Sequence, residues 1–183
     1  MSGERLGPAE WVNAGLRALA RSGFTALKAD ALAKSLGVSR GSFYWHFADV
    51  GAFHAAVLRR WREIALENII AEIDSATGDR LEALIRRSFS ARSNLEVAVR
   101  AWAFGDAEAR AAVDSVDAER VRYLRKLLIE AGVDTAHAET HALILNWAYL
   151  GYNLSSRRPE ADELRSIIED LSQLARPLRR DSP

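Results

Sequence analysis

A run of nine residues, Ser39 to Phe47, combines side-chain types that could act together in binding. At about 100° per residue, a helix places Phe43 and Phe47 on one face, where they can pack inward. The other side chains lie on or beside the opposite face and supply a guanidinium group, hydroxyls, large aromatic rings and an imidazole. Exposed rings of this size bring no gain in solubility, so the pattern predicts a binding partner.

The outward side chains of this run suit contact with double-stranded DNA. Arg40 can form a bidentate pair with guanine, and Trp45 can make apolar contact with a thymine methyl group. Ser42, Tyr44 and His46 can reach phosphates, which position a protein on the duplex. The alternative is that some of these rings, Trp45 above all, pack against the next helix. The predicted DNA contacts in the run are Ser39, Arg40, Gly41, Ser42, Tyr44, Trp45 and His46.

The elements that must position this run are helices. Ala, Leu, Arg and Glu dominate the chain, and no stretch alternates with period two. Two short predicted helices, from about Lys28 to Ser35 and from Arg40 to His46, flank Gly37, which is a helix-turn-helix signature. Caps and breakers divide the chain into nine predicted helices without strands, an all-α protein. The predicted N-caps include Ser39, Asp49, Asp79, Asn94 and Asp134 (or Thr135 in place of Asp134).

Length and composition exclude several other classes of protein. The chain has 183 residues, of which 49% are apolar and 27% charged, as in a globular protein with a sizeable core. It has no cysteine, which excludes disulfides, thiolate catalysis and iron–sulfur clusters. No run reaches the roughly 18 apolar residues of a membrane span, and we see no secretion signal. We therefore expect a cytoplasmic protein without a membrane partner.

Charge is unevenly distributed along the chain although the net charge is zero. Residues 1–60 contain eight basic and four acidic residues, a net charge of +4. Residues 61–183 contain 17 basic and 21 acidic residues, a net charge of −4. A basic N-terminal third fits a region that binds a polyanion, although a difference of this size also arises by chance.

The N-terminal third also has the motifs of a known family. They are Ala14-Gly15-Leu16, Leu19-Ala20, Gly23-Phe24, Leu32-Ala33, the block from Leu36 to Phe47, and Ala55 with Val57-Leu58. With these motifs, the stretch from Trp11 to Trp61 resembles the DNA-binding domain of the TetR family of transcriptional regulators. The resemblance implies a helix-turn-helix domain at residues 1–50, joined through a fourth helix at about 49–74 to a ligand-binding and dimerisation domain at residues 51–183. It also implies a homodimeric repressor that binds a palindromic operator and releases it on binding a small molecule.

Three positions depart from the family's usual pattern. Leu27 and Asp30 occupy places where the family often has a threonine and a basic residue, and Val50 stands where a lysine often contacts a phosphate. Lys28 and Lys34 partly compensate, and Lys28 is a further predicted DNA contact. We expect few phosphate contacts and therefore a shallow dependence of DNA affinity on salt. The departures also leave an alternative, a small-molecule-binding or interaction protein of the same fold with weak or no specific DNA binding.

The remaining two-thirds of the chain contains apolar helices that need partners. The predicted helix from Thr135 to Ser155 is apolar all round, and the last helix has an apolar stripe, so both need more cover than one small core gives. Pairing with a second copy in a four-helix bundle provides that cover, unless both helices are covered within one chain. The predicted dimer-interface residues are Leu143, Leu150, Leu164, Ile167, Ile168 and Leu171.

Aromatic residues of the same region suggest a ligand pocket. Pockets for small molecules are largely apolar with a few polar groups, so we expect a small apolar or aromatic effector. Aromatic residues at helical spacing are also common in ordinary cores, and each assignment competes with a packing role. The predicted ligand-binding residues are Phe89, Arg92, Trp102, Phe104, Tyr123, His141, Trp147 and Tyr149.

Enzymatic or metal chemistry is not expected. His137 and His141 have the i, i+4 spacing of two zinc ligands, but Glu139 lies about 200° from His137 around the helix, and no clear third ligand follows. The chain also lacks a phosphate-binding glycine-rich loop and a Gly-x-Ser-x-Gly motif. The sequence therefore predicts no cofactor, no metal site and no catalytic residues.

Overall fold

The computed structural model describes residues 6–176, and within that range the chain forms nine helices and no strand. The helices are α1 (Pro8–Ser22), α2 (Ala29–Leu36), α3 (Arg40–Tyr44), α4 (Val50–Arg62, continuing through Glu63–Glu67 and Asn68–Ser75), α5 (Arg80–Phe89), α6 (Asn94–Ala103), α7 (Ala107–Glu130), α8 (Thr135–Leu154) and α9 (Ala161–Leu174). A 3-10 turn lies between α1 and α2, and the middle segment of α4 is π-helical. The expected all-α fold is confirmed.

Side-chain caps set where several of these helices begin. The carboxylates of Asp49, Asp79 and Asp134 accept backbone N–H hydrogen bonds at the starts of α4, α5 and α8, so these three predicted caps are confirmed. The predicted cap at Asn94 is wrong. The hydroxyl of Ser93 accepts the backbone N–H three residues further on, and Asn94 is the first residue of α6.

One packing unit of the described residues, here called the head unit, contains residues 6–65 together with Ser93–Asp114. In it, α1 packs against α2, α4 and α6. Gly15 permits the close approach of α1 and α4, because a Cβ at this position would lie 2.7 Å from Cζ of Phe53. The largest fully buried side chains of the unit are Trp11, Phe43, Phe53 and Trp61. The core of the head unit is therefore largely aromatic.

The second packing unit, here called the body unit, contains Leu66–Arg92 and residues 115–176. In it, α5 packs against the last segment of α4 and against α8 and α9. Phe89 and Tyr123 are the aromatic members of its buried core. Most of the other core residues are aliphatic, among them Ile73, Leu81, Ile85, Leu127, Leu128, Val133 and Leu145.

The fourth helix covers the predicted linker. It begins at Val50, ends at Ser75, and passes from the head unit into the body unit within its π-helical segment, Glu63–Glu67. The head unit also includes α6, whereas the predicted DNA-binding domain ends at residue 50. Packing units and functional domains need not coincide, so the predicted domain boundary stays a prediction.

Candidate nucleic-acid interface

A left-handed glycine makes the tight turn between α2 and α3. Gly37 has φ of 68° and ψ of 27°, and the backbone N–H of Val38 donates to the carbonyl of Ala33 at 3.1 Å. This is the backbone pattern of a Schellman motif, which favours glycine at the left-handed position. Ser39 follows in extended conformation at the predicted N-cap of α3, but its hydroxyl accepts no hydrogen bond from the described backbone of that helix. The turn therefore sets the direction of α3.

The inner face of α3 is anchored in the head unit, as predicted. Phe43 is fully buried, and Phe47, just beyond the helix, is 7% exposed. The ring of Phe43 contacts the rings of Trp11 and Phe53 edge to face, with centroids 5.4 and 5.2 Å apart. Such pairs stabilise a core beyond the effect of buried area. This anchoring decides which side chains α3 presents outward.

The outer face of α3 is exposed. Trp45 is 88% exposed and Tyr44 is 44% exposed, so Trp45 does not pack against α4 as the alternative proposed. Ser42 is half-buried. The remaining predicted DNA contacts are all exposed, namely Lys28, Ser39, Arg40, Gly41 and His46. Seven of the eight predicted contacts therefore lie on or directly beside α3, and Lys28 lies at the start of α2, all in the head unit.

Two neighbours hold Arg40 on this surface. Its Nε lies 3.3 Å from Oδ1 of Asp30, in the first turn of α2, and its Nη2 donates a hydrogen bond to Oη of Tyr44 at 3.2 Å. The Tyr44 ring centroid lies 5.6 Å from Cζ of Arg40. The hydrogen bond to Tyr44 and the charge of Asp30 raise the pKa of Arg40 above its ordinary value. Sequence reasoning missed the contact with Asp30, because helical periodicity does not indicate which residues of neighbouring helices meet.

The three departures from the family pattern differ in their surroundings. Leu27 is 1% exposed, and its carbonyl oxygen lies 3.1 Å from Nε2 of His54, so Leu27 is a core residue. Val50 is half-buried as the first residue of α4. Asp30 is the departure that most changes the exposed surface, because it places a carboxylate beside Arg40.

The predicted ligand-binding residues are divided between the two units. In the head unit, Trp102 stacks on Phe24 with ring centroids 4.8 Å apart, whereas Phe104 is 83% exposed. The other six lie in the body unit, where Phe89 and Tyr123 belong to the buried core. Neither unit by itself therefore brings all eight together.

Two polar groups of the body unit are buried without a partner among the described residues. They are Nη1 of Arg92, whose Nη2 donates to backbone carbonyls at the end of α8, and Nδ1 of His141. Tyr149 lies under the guanidinium group of Arg120, with its ring centroid 5.0 Å from Cζ. Buried polar atoms are normally hydrogen-bonded, so Arg92 and His141 are the predicted ligand residues of the body unit with unused bonding capacity.

A cavity of about 320 Å³ lies in the body unit between the start of α5 and the ends of α7 and α9. The sequence did not indicate it, and none of the predicted ligand-binding residues lines it. Arg80 in its wall pairs with Glu130 at 2.5 Å and with Asp74 at 3.3 Å. The positive charge of Arg80 is therefore balanced by its own neighbours, whereas Nη1 of Arg92 and Nδ1 of His141 have no partner among the described residues.

The predicted dimer residues separate into an inner and an outer set. The inner set packs against the core of the body unit and consists of Leu164, Ile168 and Leu171. The outer set is half-buried and consists of Leu143, Leu150 and Ile167. On α8, the exposed side chains of Ile144, Trp147 and Leu154 are spaced by three and seven residues, so they form one stripe. Trp147 is 62% exposed at the centre of this stripe, a position for which the sequence predicted ligand binding.

The histidine pair on α8 has no third side chain placed to complete a metal site in the described part of the chain. Among residues 6–176, no group of three or more potential ligand side chains is arranged to hold a metal ion. Nδ1 of His137 lies 2.6 Å from Oδ2 of Asp134, and this hydrogen bond lowers the pKa of Asp134 below its ordinary value. Glu139 pairs with Arg125 at 3.2 Å.

The described helices are all too short or too polar to cross a membrane.

Comparison with known families and sequences bears on the head unit. Residues 12–49 match the family model described as bacterial regulatory proteins, tetR family. This match contains α2, the turn, α3 and all the predicted DNA contacts. No curated protein is significantly similar to the chain in sequence.

Several solved structures share the fold over nearly the whole chain. A transcriptional regulator from Saccharomonospora viridis in complex with choline is 16% identical, with a TM-score of 0.71 over 91% of this chain and 95% of that one. A TetR-family regulator from Rhodococcus sp. is 18% identical, with a TM-score of 0.65 over 92% of this chain and 97% of that one. The regulator FadR from Bacillus subtilis in complex with stearoyl-CoA is 16% identical, with a TM-score of 0.63 over 90% of this chain and 95% of that one. At these identities the likeness concerns the fold.

Proposed function

The chain has the N-terminal domain and the fold of TetR-family transcriptional regulators, and from this premise we propose that it represses transcription by binding a palindromic operator as a homodimer. A small apolar or aromatic effector releases the operator. The exposed outer face of α3, held by the buried Phe43, is the observation that carries the proposal.

The chemistry of this face supports DNA binding. A recognition helix in the major groove needs donors for base edges and groups that contact the backbone. Arg40 supplies a guanidinium fork suited to guanine, and Trp45 supplies an apolar surface suited to thymine. Lys28, which precedes the first residue of α2, and His46, which follows α3, are both exposed and suit phosphates.

The exposed stripe of α8 supports a homodimer. Ile144, Trp147 and Leu154 expose large apolar area that a second copy of α8 and α9 can cover in a four-helix bundle. A two-fold symmetric dimer carries two recognition helices. It therefore binds two half-sites related by symmetry, about 34–36 Å apart or a multiple of that spacing.

The response to a small molecule rests on the body unit. The Saccharomonospora viridis relative is in complex with choline and the Bacillus subtilis relative with stearoyl-CoA. In this chain, the unused hydrogen-bonding capacity of Arg92 and His141 would suit a polar group on an otherwise apolar ligand. An effector lowers operator affinity only if it binds the non-DNA-binding arrangement of the dimer more tightly.

Fluorescence anisotropy tests the proposal with labelled duplexes from the DNA that flanks the gene. We expect sub-micromolar binding to one duplex and at least about 100-fold weaker binding to a shuffled duplex of the same composition. A salt titration should give a shallow slope, since each phosphate contact contributes about 0.9 to its magnitude. Weak binding without a sequence preference would overturn the proposal in favour of a small-molecule-binding or interaction protein of the same fold.

A further inference from the structure

Asp30 and Tyr44 together hold the guanidinium group of Arg40, and we propose that Arg40 held in this way recognises one guanine in each operator half-site, with Asp30 as its positioning residue. The inference rests on the proposed function, because it requires DNA on the outer face of α3. Three observations carry it: the donors that Arg40 has left, the local charge, and the exposure of the pair.

The contacts of Arg40 leave one edge of its guanidinium group for a base. An arginine has five N–H donors. Asp30 engages Nε, and Tyr44 accepts from Nη2. Within residues 6–176 these contacts leave the Nη1 donors and one Nη2 donor. A bidentate pair with O6 and N7 of guanine needs two neighbouring donors, which Nη1 and Nη2 can provide.

The local charge favours a base edge over a phosphate. The carboxylate of Asp30 and the guanidinium of Arg40 form a pair with no net charge, 3.3 Å apart. A phosphate that approaches Arg40 is repelled by Asp30, whereas the edge of a guanine carries no net charge. The second oxygen of Asp30 can also accept a hydrogen bond from N4 of a cytosine. The pair therefore suits a G·C base pair better than the DNA backbone.

The exposure of the pair argues against a role in folding. The side chains of Arg40 and Asp30 are 61% and 69% exposed. An ion pair this exposed contributes little to stability, because water screens it. Its effect is instead on orientation, since the ion pair with Asp30 and the hydrogen bond to Tyr44 limit the rotamers of Arg40 before DNA binds. Less side-chain entropy is then lost on binding.

The experiment uses duplexes that the full-length protein selects from a pool with 30 randomised base pairs. The selected duplex and its single base-pair variants are then titrated with the wild-type protein and four variants. Asp30→Asn removes the charge but keeps the size, and Arg40→Lys keeps the charge but removes the fork. Arg40→Lys combined with Asp30→Asn tests whether Asp30 acts through Arg40. Glu10→Gln, an exposed position in the first turn of α1, removes the same charge as a control.

We expect the wild-type protein to prefer guanine at one position of each half-site by about tenfold or more. Asp30→Asn should reduce this preference to less than about threefold, tighten binding to unselected DNA, and steepen the salt slope by about one unit per protomer. Arg40→Lys should lose the same preference, with no further loss in the double variant. Glu10→Gln should keep the preference for guanine. Neither Glu10→Gln nor Asp30→Asn should change the thermal stability of the protein.

The outcomes separate the two proposals. If no sequence is enriched from the pool, the proposed function is wrong and this inference falls with it. If a sequence is enriched but the base preferences of Asp30→Asn equal those of wild type, Asp30 does not position Arg40 and the inference alone is wrong. The inference is also wrong if Asp30→Asn reduces the preference for guanine by the same factor in the Arg40→Lys protein as in the wild-type protein, because Asp30 would then act independently of Arg40.

Discussion

Two exposed tryptophans mark two different surfaces of this protein. Trp45, beside α3, shares its surface with Arg40 and with hydroxyl and imidazole groups, whereas Trp147, on α8, lies in a stripe with Ile144 and Leu154. Hydrogen-bonding neighbours suit the polar and hydrated surface of DNA, and aliphatic neighbours suit a dry protein interface. Exposure of a large ring therefore indicates a partner, and the neighbouring residues indicate which kind.

The two surfaces also depend on their cores to different degrees. Phe43 is the one residue of α3 that is buried, so a single side chain anchors that helix. On α8 the buried face is distributed over several turns, from Ala138 to Asn153. A core substitution should therefore disturb the DNA-binding surface more than the surface of α8.

The largest expected effect is that of Phe43→Ala. Removing a fully buried ring that contacts several others should cost about 3–5 kcal/mol of unfolding free energy and abolish specific DNA binding. Urea denaturation and anisotropy measure the two effects. The matched variant Leu145→Ala, in the body core, should also destabilise the protein by about 2–5 kcal/mol but keep α8 able to dimerise. Normal DNA binding by Phe43→Ala would show that α3 does not depend on this anchor.

Exchanging either tryptophan for glutamate should separate the two surfaces. In Trp147→Glu, a charge at the centre of the apolar stripe should weaken the dimer by about 2 kcal/mol or more, roughly 30-fold in dissociation constant. Sedimentation equilibrium measures this constant. Trp45→Glu should leave the dimer intact and lower DNA affinity. If Trp147→Glu dimerises as tightly as wild type, the stripe is not the interface.

A smaller effect is expected for Tyr44→Ala. Its ring is 44% exposed, and its hydroxyl accepts a hydrogen bond from Arg40, so its loss should lower DNA affinity by about 1 kcal/mol, roughly fivefold. The melting temperature should change little. Unchanged DNA affinity would remove Tyr44 from the set of contacts.

The smallest effect concerns the body unit alone and depends on pH. Burial and the hydrogen bond that Tyr123 donates to Asp74 at 2.9 Å raise the pKa of Tyr123 well above its ordinary value. The folded state then holds this proton more tightly than the unfolded state, so stability should fall as pH rises above about 10. Tyr123→Phe should cost about 1 kcal/mol at neutral pH and flatten this decline, as followed by urea denaturation. An equally steep decline in the variant would assign it to other groups.

Short-range patterns made much of the head unit predictable. The spacing of Phe43 and Phe47 indicated the inward face of α3, and Gly37 indicated the turn, because each depends on backbone geometry within a few residues. In the body unit, the caps at Asp79 and Asp134 were predictable for the same reason. Helix ends are less certain, as Ser93 shows by capping α6 in place of the next residue.

Contacts between helices were not predictable in this way. The spacing of apolar residues does not indicate that Asp30 meets Arg40, or that α6 packs in the head unit. Composition likewise could not separate Phe104, which is exposed, from Phe89, which is buried, since both occur in helical apolar patterns.

By itself, then, the sequence determined the helices, the turn and the list of side chains that face outward from α3. The tertiary structure decided which of those side chains hold one another and which tryptophan lies among aliphatic neighbours. The physical reason is that helix formation and capping depend on neighbours along the chain, whereas the environment of Arg40 or Trp147 depends on which distant segments pack beside it.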